Sequence, residues 1–539
     1  MDQIAQFETI PAPMAGIDAV VGLMEMSPNE ALYAYNLIMT QNGPTVRPGW
    51  QEWDTNVAGS GGVRTIIPVR GAGTAGSQDY LFACTANGIY DCTSSTSAPT
   101  QMVVFPNPTG NAGYCEFDFA TNLAGDVMLL VCDEVNGYWT FDTASYTWTQ
   151  VTLGTGANQV SGVDPATFVS VRVFGAFVWF VQGGTGNGWY GPVGGGIYGA
   201  FTQFAYGNKF PHGGNLNNLY VFTYGSSYGT YTYLVAIGDA GDILAYQGIN
   251  PSSASSWTLA GQWYVGDLPA GRRSCNNYGG DLTIVCSYGI LKLSSLFTQT
   301  NIDDPTAHLD RKIAPALAAD FALYSSNRGF GLVPWPSQNS LIVTEPIIAG
   351  IAKKQFCYNL ATGGWSVFSN LDWQCAGYWH GALYAGTSDN RVIKMSGNSD
   401  AVLLDGTNAQ PVTFGCLGSF QQGKSPEVTK IVDLIKPYFL GTAPIAYTAF
   451  ARFDFDLTDL TLGTVPYTPI PILGGWDSGL WDAALWQGGS AEPTTPQISI
   501  YGAVGIGKWV SIGIIGATQG QTTLAGYGVS FRPCTGFFN

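Results

Sequence analysis

Along most of the chain, short apolar runs alternate with polar positions at a period of two and stop at Gly or Asn, which is the pattern of strands joined by tight turns. Five stretches repeat one device: Leu81 to Tyr90 turning at Gly88, Leu129 to Trp139 at Gly137, Leu234 to Ile243 at Gly241, Leu282 to Leu291 at Gly289, and Leu383 to Val392 at Asn390. Each predicts a β-hairpin in which Gly or Asn supplies the positive φ. A second element, an apolar residue followed by Asp or Asn, a polar turn and a closing Trp, runs from Phe141 to Trp148 and from Tyr358 to Trp365, with a looser copy from Asn250 to Trp257. Hairpins closed by a Trp-bearing outer strand at roughly 40–50 residue intervals predict propeller blades, because one small sheet cannot bury both faces and must stack on its neighbours.

The expected fold is therefore mainly β: a β-propeller of about six or seven blades over residues 63–404, the repeats themselves running from Val63 to Lys394. Two segments break the pattern. Ser27-Pro28-Asn29-Glu30 has the spacing of a capping box, predicting a short helix with Leu32, Tyr35 and Met39 within an N-terminal segment 1–62. Asp304-Pro305 predicts the start of a helical insertion at about 304–326, with Leu309, Ile313, Leu317 and Phe321 on one face. From 405 to 539 the alternating runs Val428–Phe439 and Thr448–Asp456 and further Gly-rich β sequence predict a separate C-terminal β domain.

Composition sharpens this picture. Gly reaches 71 of 539 residues, nearly twice ordinary usage, and charged residues only 11%, under half of it. Disorder is excluded by 46% apolar and 13% aromatic residues, which suffice for a large core. No apolar run approaches the ~18–20 residues that cross a bilayer, and the first residues lack the basic and apolar regions of a secretory signal, so a soluble protein made in the cytosol is expected. The ten cysteines are dispersed without a C-x-x-C pair, mostly in apolar runs, and read as buried free thiols. The formal charge of −16 argues against a surface that grips phosphates, though not against one past which nucleic acid slides.

Motif matches to chemistry fail on context. Gly71 to Gly76 fits G-x-G-x-x-G, but a strand follows where the phosphate-binding helix should stand. Gly225 to Gly229 fits the nucleophile elbow around Ser227, yet the chain continues as strand. His212, His308 and His380 are far apart with no ligand partner at metal spacing. Asp454 and Asp456 are expected on one strand face and Asp303 and Asp304 at a helix start; both pairs fit carboxylate spacing for glycoside hydrolysis, and both fit a wet strand face or a helix cap better. The sialidase box is not present intact. Trp189-Tyr190, Tyr228/Tyr231/Tyr233 and Trp476/Trp481/Trp486 could stack on sugars but suit blade packing. The expectation is no catalytic, cofactor-binding or metal site, and no enzyme.

The order of several short motifs resembles the tail nozzle (tail tubular) proteins of short-tailed bacteriophages. These are Met14-Ala-Gly-Ile-Asp18, Asn29 to Asn36, Val46-Arg47-Pro-Gly49-Trp, Arg272/Arg273 before Gly279-Gly-Asp-Leu282, Pro334-Trp-Pro-Ser-Gln-Asn339, and Tyr358-Asn with Gly364-Trp365 before Trp379 to Gly386. The resemblance implies a virion structural protein: a homohexameric tube at the distal end of the tail, joined to an adaptor ring, contacted by fibres or other tail proteins, and passing DNA without specific binding. It implies no cofactor and no membrane insertion. An acidic lumen is consistent with it, since carboxylates repel phosphate. Two alternatives stand beside it: a propeller that binds or degrades glycans, which would need carboxylates and aromatics clustered in the central channel, and a cellular scaffold.

Overall fold

The five repeated hairpins each supply two adjacent strands of a small antiparallel sheet, with Cys84 opposite Ile89, Asp133 opposite Gly137 and Gly386 opposite Val392 flanking the turns. The computed structural model describes residues 6–533 except 72–78, 122–124, 227–228, 299–301, 303, 352, 424–425, 427, 442, 444, 458–500 and 503–504. It is 53% strand and 6% helix, as the sequence pattern demands.

Seven such sheets form the blades of a propeller, with innermost strands Thr65–Val69, Cys115–Thr121, Phe168–Phe174, Leu216–Ser226, Cys275–Tyr278, Gly331–Trp335 and Cys375–Trp379. Contacts between the inner strands of blades 7 and 1 complete the circle. The ring is closed by the N-terminal strand Trp50–Asp54, which pairs antiparallel with Val392–Met395 as the outermost strand of blade 7. The hairpin repeats mark blades 1, 2, 4, 5 and 7. Blade 3 turns through Gly183 and Gly184 between Phe177–Gln182 and Asn187–Tyr190, and blade 6 uses a longer loop between Ser340–Thr344 and Lys354–Asn359, so neither carries the compact turn signature.

Trp residues fill the wedges. Trp148 lies opposite Phe141 in blade 2, with its ring 5.0 Å from that ring and 5.2 Å from Phe82 of blade 1. Trp257 of blade 4 stacks at 5.4 Å on the wholly buried Trp179 of blade 3. At Gly241 the turn has φ +89 and a Cβ would stand 1.9 Å from the Gly266 carbonyl oxygen, so only Gly fits.

Two expectations about helices are corrected. Ser27 N–H donates to Glu30 Oε2 at 2.9 Å, one half of a capping box, while Glu30 N–H donates to the Ser27 carbonyl as in a turn, and Ala31–Tyr35 and Leu37–Thr40 then run as strands. Ala31–Tyr35 is held between Trp365–Ser369 and Gln410–Gly418, and Asn36 at φ 54 breaks the chain between the two strands; paired neighbours on both sides outweigh one local turn. The insertion is helical only at Ala314–Tyr324, after a 3-10 turn at Pro305–Ala307. Pro315 forces the start there, because Pro is tolerated only in the first turn. A further short helix, Leu293–Thr298, follows the third strand of blade 5.

The N-terminal segment is not separate from the C-terminal β domain. Gln6–Pro11, Leu37–Thr40 and Gly43–Val46 join Thr522–Pro533 and Lys430–Gly441 in one sheet. The facing sheet holds Gln410–Gly418, Val510–Thr518 and Ile445–Phe453, and runs through Ala31–Tyr35 into blade 6. Phe414, Phe439 and Tyr447 meet between the two sheets, with the Phe439 ring 6.4 Å and 5.2 Å from the others.

Cys84, Cys92, Cys115, Cys132, Cys275, Cys286, Cys357, Cys375 and Cys416 are free and buried. Burial pushes the thiols of Cys275, Cys357 and Cys416 up to about 12. These nine stay silent to a thiol reagent such as DTNB in the native protein and react together on unfolding; stoichiometric labelling of two or more of them without loss of fold would contradict this packing. Among the described residues, no helix is long and apolar enough to cross a membrane.

Candidate functional site

The inner strands surround an axial cavity of about 590 Å³. The segment Ala270 to Ser274, between blades 4 and 5, forms part of its wall and is fastened from several sides. Ala270 N–H donates to the Ser325 carbonyl at 2.7 Å, and the Arg272 carbonyl accepts from Asn218 Nδ2 at 2.8 Å and Tyr220 Oη at 2.6 Å. Arg273 donates to the Arg64 carbonyl at 2.7 Å, to Thr65 Oγ1 and to the Cys115 carbonyl at 3.1 Å, so one side chain ties this segment to blades 1 and 2.

Two Arg–Glu–Arg triads dominate the cavity wall. Glu116, on the inner strand of blade 2, accepts from Arg172 of blade 3 at 2.8 Å and lies 3.6 Å from Arg273 Nε. Glu134, in the turn before Gly137, receives Arg328 on both oxygens at 2.6 and 2.5 Å, with Arg272 Nε 3.3 Å away. Arg272 Nε is buried and lacks an aligned acceptor. Burial holds the Arg272 guanidinium below its ordinary value, and the nearby Arg328 cation adds to this, more than Glu134 and Glu116 restore. Tyr114 sits among cations, with Arg64, Arg273 and Arg328 at 5.3, 5.9 and 5.2 Å from its ring centroid. The third carboxylate, Asp118, accepts from Val173 N–H at 2.7 Å.

Most residues singled out by sequence lie elsewhere. His212 pairs with Asp242 at 2.8 Å and His380 with Asp79 at 2.7 Å, while His308 bonds the Ile302 carbonyl at 2.8 Å; the three do not meet. The strand Ile445–Phe453 ends before Asp454, so Asp454 and Asp456 do not share a strand face as expected. Asp454 adopts φ 46 and accepts from the N–H groups of Lys508 and Trp509 at 2.8 and 2.9 Å, whereas Asp456 lies 3.6 Å from Arg452. Asp tolerates this left-handed conformation when its carboxylate caps nearby backbone. Asp304 caps Thr306, and Asp303 lies outside the described residues. Ala72 to Gly76, Ser227, Tyr228, Trp476, Trp481 and Trp486 also lie outside them, but the flanking strands pair as antiparallel hairpins at Thr65–Val69 with Tyr80–Thr85 and at Leu216–Ser226 with Gly229–Gly238. Trp189 and Tyr190 are blade-3 strand residues, and Tyr233 is buried in the wedge of blades 4 and 5. Among the described residues no group of three or more His, Cys, Asp or Glu is disposed to hold a metal ion.

Sequence reasoning missed Glu116, Glu134, Arg172 and Arg328. A signal was present: in a chain poor in charge, Arg64, Arg273 and Arg328 each stand one to three residues before the inner strand of a blade.

Residues of the N-terminal short motifs, together with Trp365, gather at a second place, the joint between propeller and sandwich. Arg47 makes a bidentate pair with Asp400 at 2.8 and 2.7 Å and donates through Nε to Asn36 Oδ1 at 3.0 Å; Asn36 in turn donates to the Thr413 carbonyl at 2.8 Å. Ile17 N–H donates to the Trp365 carbonyl at 2.9 Å, and Gly16 packs so closely that a Cβ would stand 2.4 Å from Trp365 backbone. Apart from the Arg47–Asn36 bond, these contacts join positions more than 300 residues apart.

A seven-bladed propeller with an axial cavity, carrying a two-sheet β sandwich, is the class that the sheet order defines. No protein-family model and no curated protein sequence matches the chain. Among solved structures it is similar to the extracellular domain of hybrid two-component system BT3049 from B. thetaiotaomicron, at 13% identity and TM-score 0.37 over 85% of this chain; it spans 52% of the length of that one. It is also similar to the computationally designed Ika8 protein (8% identity, TM-score 0.31, 64% of this chain and 99% of that one). The β-propeller domain of Myceliophteria thermophila Cps50 (Swd1) is similar at 11% identity and TM-score 0.36, again over 64% of this chain and 99% of that one.

Proposed function

We propose that this chain is a structural subunit of a short bacteriophage tail, six copies of which build the distal nozzle through which DNA leaves the virion. In this reading it is made in the host cytoplasm, resides in the tail, joins an adaptor ring above and fibres or other tail proteins beside it, and carries no catalysis. The observation that carries the reading is that the three N-terminal nozzle-like motifs meet the Trp365 motif at one joint: Gly16, Asn36, Arg47 and Trp365 all fasten the propeller to the sandwich. Two features fit it. The axial cavity is lined by Ala270 to Arg273 and the two triads, all from one chain, and in this reading the conduit lies between copies and not through a propeller. Many of the cations are engaged with carboxylates, Arg47, Arg172, Arg328, Lys312, Lys353 and Arg391 among them, and the chain as a whole carries a formal −16, which disfavours gripping phosphate.

Native mass spectrometry and negative-stain imaging of the purified chain test it. A closed ring of six with a central hole is expected; a monomer at all concentrations, together with no ring of this chain in purified virions, overturns it. The axial cluster of Tyr114, Tyr220, Glu116 and Glu134 favours glycan binding or cleavage as the second reading, and reducing sugar released from host capsule or lipopolysaccharide would establish that one instead.

A further inference from the structure

The axial cavity concentrates positive charge in a protein that is otherwise acidic. Of eleven arginines in the chain, four line it, against the three carboxylates Glu116, Asp118 and Glu134. The two kinds of group are also layered. Arg272 and Arg328 are 16% and 23% exposed while the Glu134 between them is 7% exposed; Arg273 and Arg172 are 28% and 15% exposed above a Glu116 at 10%. In each triad the two arginine side chains are thus more exposed than the glutamate between them.

Each triad holds two cations around one anion and is left one positive charge in excess. Asp118 offsets part of this, but its oxygens are already engaged by the N–H groups of Val173 and Phe119. Arg272 Nε is buried 3.3 Å from Glu134 without an aligned hydrogen bond, so the triad pairs this guanidinium incompletely. A volume of about 590 Å³ lies within the range of small-ligand pockets, and the wall offers the aromatic rings of Tyr114 and Tyr220 beside the guanidiniums.

We propose that the axial cavity is a binding site for a small anion bearing a carboxylate or phosphate group, held by Arg272 and Arg328. Planar guanidinium forks match both oxyanions, and in a partly desolvated site such charge-assisted bonds are about twice as strong as neutral ones. The site is independent of whether the protein assembles into a ring, because every group in it comes from one chain.

The test uses the full chain in chloride buffer, to which inorganic phosphate or sodium glucuronate is added at fixed ionic strength. Thermal unfolding and isothermal calorimetry are read against added chloride. At least one of the two anions raises Tm beyond the chloride control and binds with 1:1 stoichiometry. Phosphate alone marks a phosphate-bearing ligand, glucuronate alone an acidic sugar, and both a general oxyanion site. Arg272→Gln weakens that binding at least tenfold, and Arg391→Gln, whose partners Glu52 and Asp389 lie in blade 7, leaves it unchanged. Should Arg272→Gln not fold, the wild-type chain is treated with phenylglyoxal, and bound anion protects the peptide that holds Arg272 and Arg273. No effect of either anion beyond chloride, Arg272→Gln binding like wild type, or equal phenylglyoxal labelling with and without anion overturns the proposal.

Discussion

Replacing Glu134 by Gln lowers the unfolding free energy by about 3 kcal/mol, toward the lower end of the ~3–5 kcal/mol that follows when one member of a buried ion pair is removed. The cost arises from what remains: Arg272 and Arg328 keep their charges, side by side and mostly desolvated, with a neutral amide where the carboxylate stood. Partial exposure of both arginines keeps the loss from being larger. The double variant Glu134→Met with Arg328→Met recovers most of the loss, because apolar side chains of similar volume replace charges that had to be dehydrated. Urea denaturation of the three proteins at pH 7 measures both effects. A single variant that costs less than about 1 kcal/mol, the range of exposed pairs, would mean that water screens the triad.

Asp54→Asn stabilises the protein by an amount that grows with pH, reaching about 4 kcal/mol at pH 8. Asp54 sits on the strand that closes the ring, fully buried beside Cys92; its Oδ1 accepts from Thr96 N–H at 2.7 Å. Burial pushes this carboxyl from 3.8 up to about 7, against the smaller opposing pull of hydrogen bonds from Cys92 and Thr96. Between about pH 4 and 7 the folded chain therefore binds a proton that the unfolded chain has lost. Stability from this group is complete below about pH 4 and is lost as pH rises through about 7. Asn keeps the acceptor for Thr96 and cannot ionise, so the variant and the wild type agree near pH 4 and separate above it. Glu345, raised to about 8 by burial, adds a slope of the same sign to both proteins, so the difference between them isolates Asp54. A difference that does not change between pH 5 and pH 8 would show that Asp54 is ionised in the fold.

Much of the propeller was legible in the chain because its information is local. A Gly or Asn turn between two apolar runs specifies a hairpin within about ten residues, and the Trp at a fixed distance specifies the outer strand. The same locality explains the errors. The Ser27 to Glu30 box does set a turn but not the helix expected after it, since Ala31–Tyr35 takes its conformation from strands that lie over 300 residues away. Asp454 and Asp456 alternate in the sequence as a strand would, but the backbone at 508–509 draws Asp454 into a cap.

The axial triads were not legible. Glu116, Glu134, Arg172, Arg272, Arg273 and Arg328 come from separate blades or the segments between them and meet only because the ring closes.

By itself the sequence determined the strand content, the repeat and its approximate number, and the burial of the thiols, since these follow from period-two alternation, turn residues and composition. Tertiary structure alone decided that residues 6–46 complete the C-terminal sandwich, that Trp50–Asp54 seals the seventh blade, and that the scarce cations collect on the axis. The physical reason is range: a turn is settled by neighbours in the chain, whereas strand partners and ion pairs are settled by which surfaces remain to be buried once the blades have formed.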